Sequence, residues 1–159
     1  MRQDALSRRS ILIGGAALLA ASPSMTMAQG AGPKVHVMKD PNCGCCSAWI
    51  EILERDGFEV TTEPSLGIVL MRYKLDNGIP QEMISCHTGR VEGYMIEGHV
   101  PVADIRRLLD ERPDAVGLTV PGMPYGSPGM GPESEREAYD VFLIQRDGSS
   151  EVFNRYSAA

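Results

Sequence analysis

Apolar and polar positions change their spacing several times along residues 35–156. Residues 35–38 alternate and contain two β-branched valines, which predicts a first strand. Apolar residues then recur at helical spacing and predict a helix over 43–56, with Asn42 as its N-cap and Gly57 as its end. A strand is therefore followed directly by a helix that carries a cysteine motif in its first turn.

The rest of the chain continues the alternation of strands and helices. The pattern predicts a strand over 58–62 and then a helix marked by Leu66, Val69, Leu70 and Tyr73. It next predicts paired strands over 82–85 and 90–96 around His87-Thr88-Gly89. A helix from Pro101 to Pro113 and a hairpin over 139–145 and 151–156 complete the order. This order predicts an α/β fold in which helices flank a central mixed β-sheet, followed by a Met/Gly/Pro-rich loop and a C-terminal hairpin.

A cysteine motif at a helix start, just after a strand, is typical of thioredoxin-like proteins. We therefore predict a thioredoxin-like metal-binding domain over 35–159. Pro80 precedes the predicted central strand, where such folds have a proline that faces the active cysteines. Only a minority of X-Pro bonds are cis, so the isomer at Pro80 stays open at this point.

Residues 1–28 have the pattern of an export signal. Arg8-Arg9 precede a short apolar stretch over 11–21, and Ala28 offers a small residue for signal-peptidase cleavage. The stretch is too short to span a bilayer comfortably. The paired arginines resemble a twin-arginine signal, and an ordinary secretory signal is the alternative. Residues 29–34 are interpreted as a linker.

Composition narrows the function classes. The chain has 159 residues and a formal net charge of −6, and it lacks the Lys/Arg cluster that a nucleic-acid partner would require. No later stretch has the length and apolarity of a membrane span, so we expect a periplasmic product without one after cleavage. Because that compartment is oxidising, four exposed free thiols would not persist there. The cysteines are expected to be paired, metal-bound or catalytic.

The cysteines are the main candidate site. Cys43 and Cys46 have C-x-x-C spacing, and a helix N-terminus there would favour their thiolates. Cys45 adds a third sulfur, and it cannot pair with Cys46 without strain because adjacent Cα atoms are only about 3.8 Å apart. Cys86 follows the strand entered through Pro80, and we expect it beside the start of the first helix. Three sulfurs within one turn suit a metal better than disulfides alone.

Methionine and histidine candidates favour a soft metal. Thiolate clusters bind Cu(I), Zn(II) or iron–sulfur centres. Met123 and Met130 lie in the Gly/Pro-rich segment 121–132, which we call the methionine loop, and thioether ligands favour Cu(I) over zinc. His99, just before a helix, is a further candidate ligand, and His87 is either a ligand or a turn residue. Two structural disulfides or a structural zinc site are the alternatives, both disfavoured by the cysteine spacing.

Several segments together resemble the CopG-like family of small periplasmic proteins from copper-resistance systems. The matching segments are Val35 to Trp49 with its Cys43-Gly44-Cys45-Cys46 motif, Gly78-Ile79-Pro80, Ser85-Cys86-His87-Thr88, Gly93 to Pro101, and Gly117 to Met130. The resemblance implies a thioredoxin-like fold and a copper site that couples the metal to thiol redox change. By position, it implies as sulfur ligands Cys43, Cys45, Cys46 and Cys86, with His99, Met123 and Met130 on matching motifs.

The preferred hypothesis is a periplasmic protein that captures Cu(I) for copper resistance and homeostasis. Its partners would be copper ions and other periplasmic copper-handling proteins. The alternative is a thiol–disulfide or copper oxidoreductase, in which Cys43 and Cys46 are the catalytic pair. Whether the protein is an enzyme is left open, with binding favoured. A structural disulfide or zinc domain is the third hypothesis.

Overall fold

The structure is a computed structural model that describes residues 32–159. The predicted export signal over 1–28 lies outside the described residues. The regular elements, in chain order, are β1 (Lys34–Lys39), α1 (Gly44–Arg55), β2 (Glu59–Pro64), α2 (Gly67–Asp76), β3 (His87–Val91), β4 (Tyr94–Glu97), α3 (Val102–Glu111), β5 (Ala115–Thr119), β6 (Tyr139–Gln145) and β7 (Ser150–Tyr156). Single turns of 3₁₀-helix span Gln81–Met83 and Glu133–Glu135.

The seven strands form one mixed sheet in the order β2-β1-β3-β4-β5-β6-β7. The pairs β1–β2 and β4–β5 are parallel, and the other neighbouring pairs are antiparallel. The sheet and three helices confirm the predicted α/β class, while the thioredoxin-like assignment stays a prediction. Within residues 32–159, no helix combines the length and apolar character needed to cross a membrane.

The main core lies between the sheet and helices α1 and α3. Helix α1 buries Trp49 and Leu53 completely, and α3 buries Ile105 and Leu108 in the same cluster. The indole Nε1 of Trp49 donates a hydrogen bond to the Val100 carbonyl at 2.9 Å. This bond satisfies the one polar group of a buried tryptophan and joins α1 to the segment just after β4.

Helical spacing predicted α2 but did not say which of its residues are buried. Leu66, which is the N-cap, and Val69 are 57% and 62% exposed. The buried residues of α2 are Leu70 and Lys74. Helical spacing predicts which side chains share a face, but it does not say that a lysine will turn inward to meet a buried carboxylate.

The predicted pairing of residues 82–85 with 90–96 is wrong. The hairpin instead joins β3 to β4 through Glu92-Gly93, whose φ angles are +46° and +94°. A two-residue turn with both φ angles positive suits this hairpin, but Glu at its first position hides the usual sequence signal. Residues 81–83 form the 3₁₀ turn, so Pro80 does not lead directly into the central strand, and its peptide bond is trans.

Strand β5 was not predicted, and it extends the sheet beyond β4. Helix α3 connects the two parallel strands. A side chain at Gly117 would place its Cβ 1.8 Å from the Met95 carbonyl oxygen, and the β5–β6 register shifts between Ala115 and Gly117. A glycine at a β-bulge breaks the alternating pattern by which a strand is recognised. Strand β5 delivers the methionine loop to the edge of the sheet where β4 ends.

Candidate metal centre

The first turn of α1 starts at Cys43 rather than at Asn42. Cys43 is the N-cap, and the backbone N–H of Cys46 points at its Sγ at 3.3 Å. Asn42 instead belongs to a turn in which its N–H donates to Asp40 Oδ1 at 2.8 Å. The aspartate side chain stabilises this turn locally, and the helix therefore begins one residue later than predicted.

All four cysteine sulfurs lie at the start of α1. Every pair of Sγ atoms among the four is within 4.8 Å. Cys43 and Cys46 form a disulfide, with Cα atoms 5.3 Å apart, and Cys45 and Cys86 are free. Cys45 Sγ lies 3.4 Å from Cys43 Sγ, and Cys86 Sγ lies 3.6 Å from Cys46 Sγ. The structure thus brings the predicted cysteines together, with one disulfide rather than two.

Two imidazoles meet the thiol of Cys86. Its Sγ is 3.2 Å from His87 Nδ1 and 3.1 Å from His99 Nε2. His99 Nδ1 donates to the Pro128 carbonyl oxygen at 2.7 Å, so its Nε2 lone pair faces the sulfur. Cys86, His87 and His99 make a second group with ligand atoms within 4.8 Å of one another. Sequence reasoning left His87 undecided, and the structure places it at the site.

Burial controls the protonation of these groups. It raises the pKa of Cys86 from 9.0 to about 12, and the neighbouring Cys45 thiol adds to that rise. Burial lowers the pKa of His87 well below 6.5, with a further contribution from His99, and it also lowers the pKa of His99. Near neutral pH, the Cys86 thiol is therefore protonated and the His87 and His99 imidazoles are neutral. Neutral imidazole is the metal-binding form of histidine, whereas a thiol must lose its proton to bind a metal.

The methionine loop packs on the first turn of α1. A Cβ at Gly129 would lie 2.8 Å from the Trp49 backbone nitrogen and 2.9 Å from the Cys45 carbonyl oxygen. Met130 follows directly and is half-buried, whereas Met123 is 55% exposed. The structure thus places the loop backbone beside the cysteines, and the ligand roles of Met123 and Met130 stay predictions.

An open cleft of about 410 Å³ borders the cysteine cluster on the side of α2. Two of its lining residues are cysteines, so a solute in the cleft meets the site directly. The lining consists of Asp40, Asn42, Cys43, Gly67, Leu70, Met71, Lys74, Ile84, Ser85 and Cys86. Cys43 lines the cleft, whereas Cys46 is completely buried. A solute in the cleft therefore reaches the disulfide through Cys43.

Three buried polar residues behind Cys86 form a hydrogen-bonded group that we call the buried triad. Lys74 Nζ donates to Glu97 Oε1 at 2.6 Å and to Thr88 Oγ1 at 2.9 Å, and Thr88 Oγ1 donates to Glu97 Oε2 at 2.6 Å. Lys74 is 2% exposed, and Thr88 and Glu97 are 0% exposed. Sequence reasoning missed the triad, and its one local signal was a lysine next to the apolar positions of a predicted helix.

Residues 83–130 match a family described as a protein of unknown function, DUF411. Two solved structures, of the copper resistance protein CopG in Form 1 and Form 2, are each 45% identical to the chain. Each match covers 79% of this chain and 98% of the other, with TM-scores of 0.73 and 0.72. The chain belongs to the CopG family. No curated protein sequence matches it.

Membership of the CopG family confirms the resemblance seen in the sequence motifs. The DUF411 match includes Cys86, His99 and both methionines of the loop. The first cysteine motif lies before that match and within the described residues, where the fold brings it against Cys86. The site is therefore assembled from both halves of the CopG-like domain.

Proposed function

We propose that this protein captures Cu(I) in the periplasm, through a cysteine cluster, as part of copper resistance. The observation that carries the proposal is the close approach of four sulfurs, all within 4.8 Å of one another. Thiolate is a preferred ligand of Cu(I). The solved relatives named copper resistance protein CopG support the same reading of the cluster.

Copper capture is coupled, in this proposal, to thiol redox change. The Cys43–Cys46 disulfide must accept two electrons and two protons from a dithiol reductant, which is oxidised to its own disulfide. The released thiols then lose their protons as Cu(I) binds, and the same holds for Cys45 and Cys86. Oxidation of the cysteine pair would remove two of the four ligands and weaken metal binding.

Imidazole and thioether groups would complete the ligand set. His99 Nε2 faces Cys86 with its lone pair, and its other nitrogen is fixed by Pro128. Met130 follows the glycine that packs on the Cys45 carbonyl. We assign His99 as an auxiliary ligand because neutral imidazole binds metals. We assign Met123 and Met130 as auxiliary ligands because thioether sulfur favours Cu(I) over zinc.

Export and partner exchange belong to the same proposal. The twin-arginine-like segment over 1–28 would deliver the protein to the periplasm, with cleavage near Ala28. Other periplasmic copper-handling proteins would supply or receive the metal. The cleft beside Cys43 is the route by which such a partner reaches a sulfur ligand.

A thiol–disulfide or copper oxidoreductase is the second candidate. The disulfide at the start of α1 favours it, because Cys43 borders the cleft while Cys46 is buried. An incoming thiolate would form a mixed disulfide with Cys43 and release Cys46 as a thiolate. A second thiol of the donor would then free Cys43 and complete the two-electron reduction.

The test is anaerobic titration of the reduced protein with Cu(I) against a competing chelator, with Zn(II) in parallel. We expect tight Cu(I) binding that exceeds zinc binding and is lost in Cys43→Ser and Cys46→Ser. We also expect His99→Asn to weaken Cu(I) binding, because His99 Nε2 meets Cys86. His36→Asn is its matched control, because His36 lies on β1 and pairs with Thr61 and Glu63 outside the cluster. Unchanged copper stoichiometry in both cysteine variants would overturn the proposal.

Turnover separates the two candidates. The oxidoreductase predicts disulfide or copper reduction above a small-thiol control when an electron donor is supplied. Activity that persists in Cys45→Ser but is lost in Cys43→Ser would favour it, because only Cys43 and Cys46 form the redox pair. Tight Cu(I) binding without turnover would favour capture.

A further inference from the structure

Cys86 lies on a short segment outside the helices and strands, one residue before β3. Residues 84–86 lie between the 3₁₀ turn and β3. Three hydrogen bonds hold this segment. The Ser85 N–H donates to Glu97 Oε1 at 2.6 Å, the Ser85 hydroxyl donates to the Gly122 carbonyl, and the Gly122 N–H donates to the Ile84 carbonyl at 3.3 Å. Glu97 therefore holds the residue next to the thiol that meets Cys46 and both imidazoles.

The buried triad also joins the elements around that thiol. Lys74 comes from α2, Thr88 from β3 and Glu97 from β4. Lys74 lines the same cleft as Cys43 and Cys86. Together with Leu70, it is the buried part of α2. The triad thus fixes both the segment that carries Cys86 and the helix that forms the opposite wall of the cleft.

Stability alone is a poor reason for a charged pair at this depth. Burial removes the hydration of both ions, and the free energy of their mutual attraction offsets only part of that cost. Apolar side chains of similar volume often replace such a pair without loss of stability. An apolar residue at position 97, however, offers no acceptor to the Ser85 N–H, which would lose its partner in a partly buried setting.

We propose that Glu97, balanced by Lys74, is a positioning residue of the metal centre that holds Cys86 against Cys46, His87 and His99. Glu97 acts through Ser85: its carboxylate accepts hydrogen bonds from Lys74, Thr88 and the Ser85 N–H, none of which is a candidate metal ligand. The consequence for copper rests on the proposed function, whereas the placement of the Cys86 thiol does not.

Two double variants isolate the acceptor at position 97. Lys74→Met with Glu97→Leu removes both charges and the acceptor. Lys74→Met with Glu97→Gln removes both charges and keeps a carbonyl oxygen for the Ser85 N–H. Asp104→Asn is the control for loss of a buried carboxylate elsewhere, because Asp104 is 2% exposed and binds Asn154 and Tyr156.

Three measurements are compared: Cu(I) affinity of the reduced protein, the unfolding midpoint, and alkylation of Cys86 and Cys45 in the metal-free disulfide form. In the Glu97→Leu double variant, we expect Cu(I) affinity to fall about tenfold or more, as for other groups that orient metal ligands. Alkylation of Cys86 should rise roughly threefold with greater access, while that of Cys45 stays unchanged. The Glu97→Gln double variant should match the unmodified protein in both respects. Asp104→Asn should lower the midpoint alone.

Equal Cu(I) affinity and equal Cys86 alkylation in the two double variants would overturn the proposal, because they differ only in the acceptor. If the Glu97→Leu variant does not fold, Lys74→Met with Glu97→Met removes the same acceptor with an unbranched side chain of similar length. Faster Cys86 alkylation in that variant than in the Glu97→Gln double variant would then support the proposal, and an equal rate would overturn it. Weak Cu(I) binding by the unmodified protein would contradict the proposed function, and the metal-free alkylation comparison would still decide the role of Glu97.

Discussion

Replacing Gly129 with alanine tests whether the methionine loop packs onto the first turn of α1. Gly129 has a φ of +85°, a backbone conformation that costs a residue with a side chain about 1–2 kcal/mol. The new Cβ would also lie 2.8 Å from the Trp49 nitrogen and 2.9 Å from the Cys45 carbonyl oxygen. Because both neighbours are backbone atoms of a helix, the loop itself must move.

The contact adds about 1–3 kcal/mol, the usual penalty for overpacking. The total for Gly129→Ala is then about 2–5 kcal/mol. Gly148 is the matched control: its φ is also +85°, and a Cβ there would meet nothing within 4 Å. Gly148→Ala should therefore cost only the backbone component, about 1–2 kcal/mol. The difference between the unfolding free energies of the two variants measures the packing of the loop on α1.

Thermal denaturation of both variants, and competition between each variant and a chelator for Cu(I), provide the assay. A domain of this size shifts its melting temperature by roughly 4 °C per kcal/mol, so the two variants are readily distinguished. We expect Gly129→Ala to weaken Cu(I) binding as well, because a lifted loop moves the Pro128 carbonyl away from His99. Gly148→Ala should bind Cu(I) as the unmodified protein does. Equal destabilisation by the two substitutions, with unchanged copper affinity, would refute the packing of the loop on the site.

Three further outcomes follow from the geometry. Trp49→Phe removes the donor to the Val100 carbonyl and should cost about 1–3 kcal/mol of unfolding free energy, measured with urea, because a buried acceptor loses its partner; no loss would contradict that bond. Burial lowers the pKa values of His87 and His99, so the unfolded chain binds more protons than the folded one. The stability of the metal-free protein should therefore be complete above about pH 6.5 and fall as the pH drops below that value. Urea midpoints measured across this range test the expectation, and His87→Asn should make the stability depend less steeply on pH. Burial raises the pKa of Cys86 to about 12, so its alkylation rate, followed by peptide mass spectrometry, should still be rising at pH 10; a plateau near pH 8–9, typical of an ordinary thiol, would contradict it.

In the proposed function, the cysteine pair would link metal capture to redox state, and the free thiols report on that link. In the disulfide form, Cys45 and Cys86 are the free thiols, and each lies within 3.6 Å of one sulfur of the disulfide. Reduction would therefore supply two more thiols without a large movement of the chain. A small structural change is consistent with a site that can alternate between disulfide and metal-bound forms.

Local sequence determined the first helix, its cysteine motif and the chemistry of the candidate site. The apolar spacing of α1 and the Gly57 stop depend on neighbours within a few turns, so the predicted helix over 43–56 agrees closely with Gly44–Arg55. The C-terminal hairpin was recognised for the same reason, since its strands are joined by a short turn. The soft character of the site follows from residue identity alone, because sulfur ligands favour soft metals wherever they lie.

Tertiary structure decided which of these residues meet. Cys46 and Cys86 are 40 residues apart, and their contact depends on the pairing of β1 with β3, which fixes where the segment before β3 lies. Local patterns did not locate the bulge at Gly117 or the turn at Glu92-Gly93. The observed strands therefore begin and end at residues other than those predicted. The inward face of α2 was decided by Lys74 and a carboxylate on β4. Helix and turn preferences act over a few residues, whereas strand partners and buried ion pairs are set by distant parts of the chain. The candidate metal centre is made from such distant pairings.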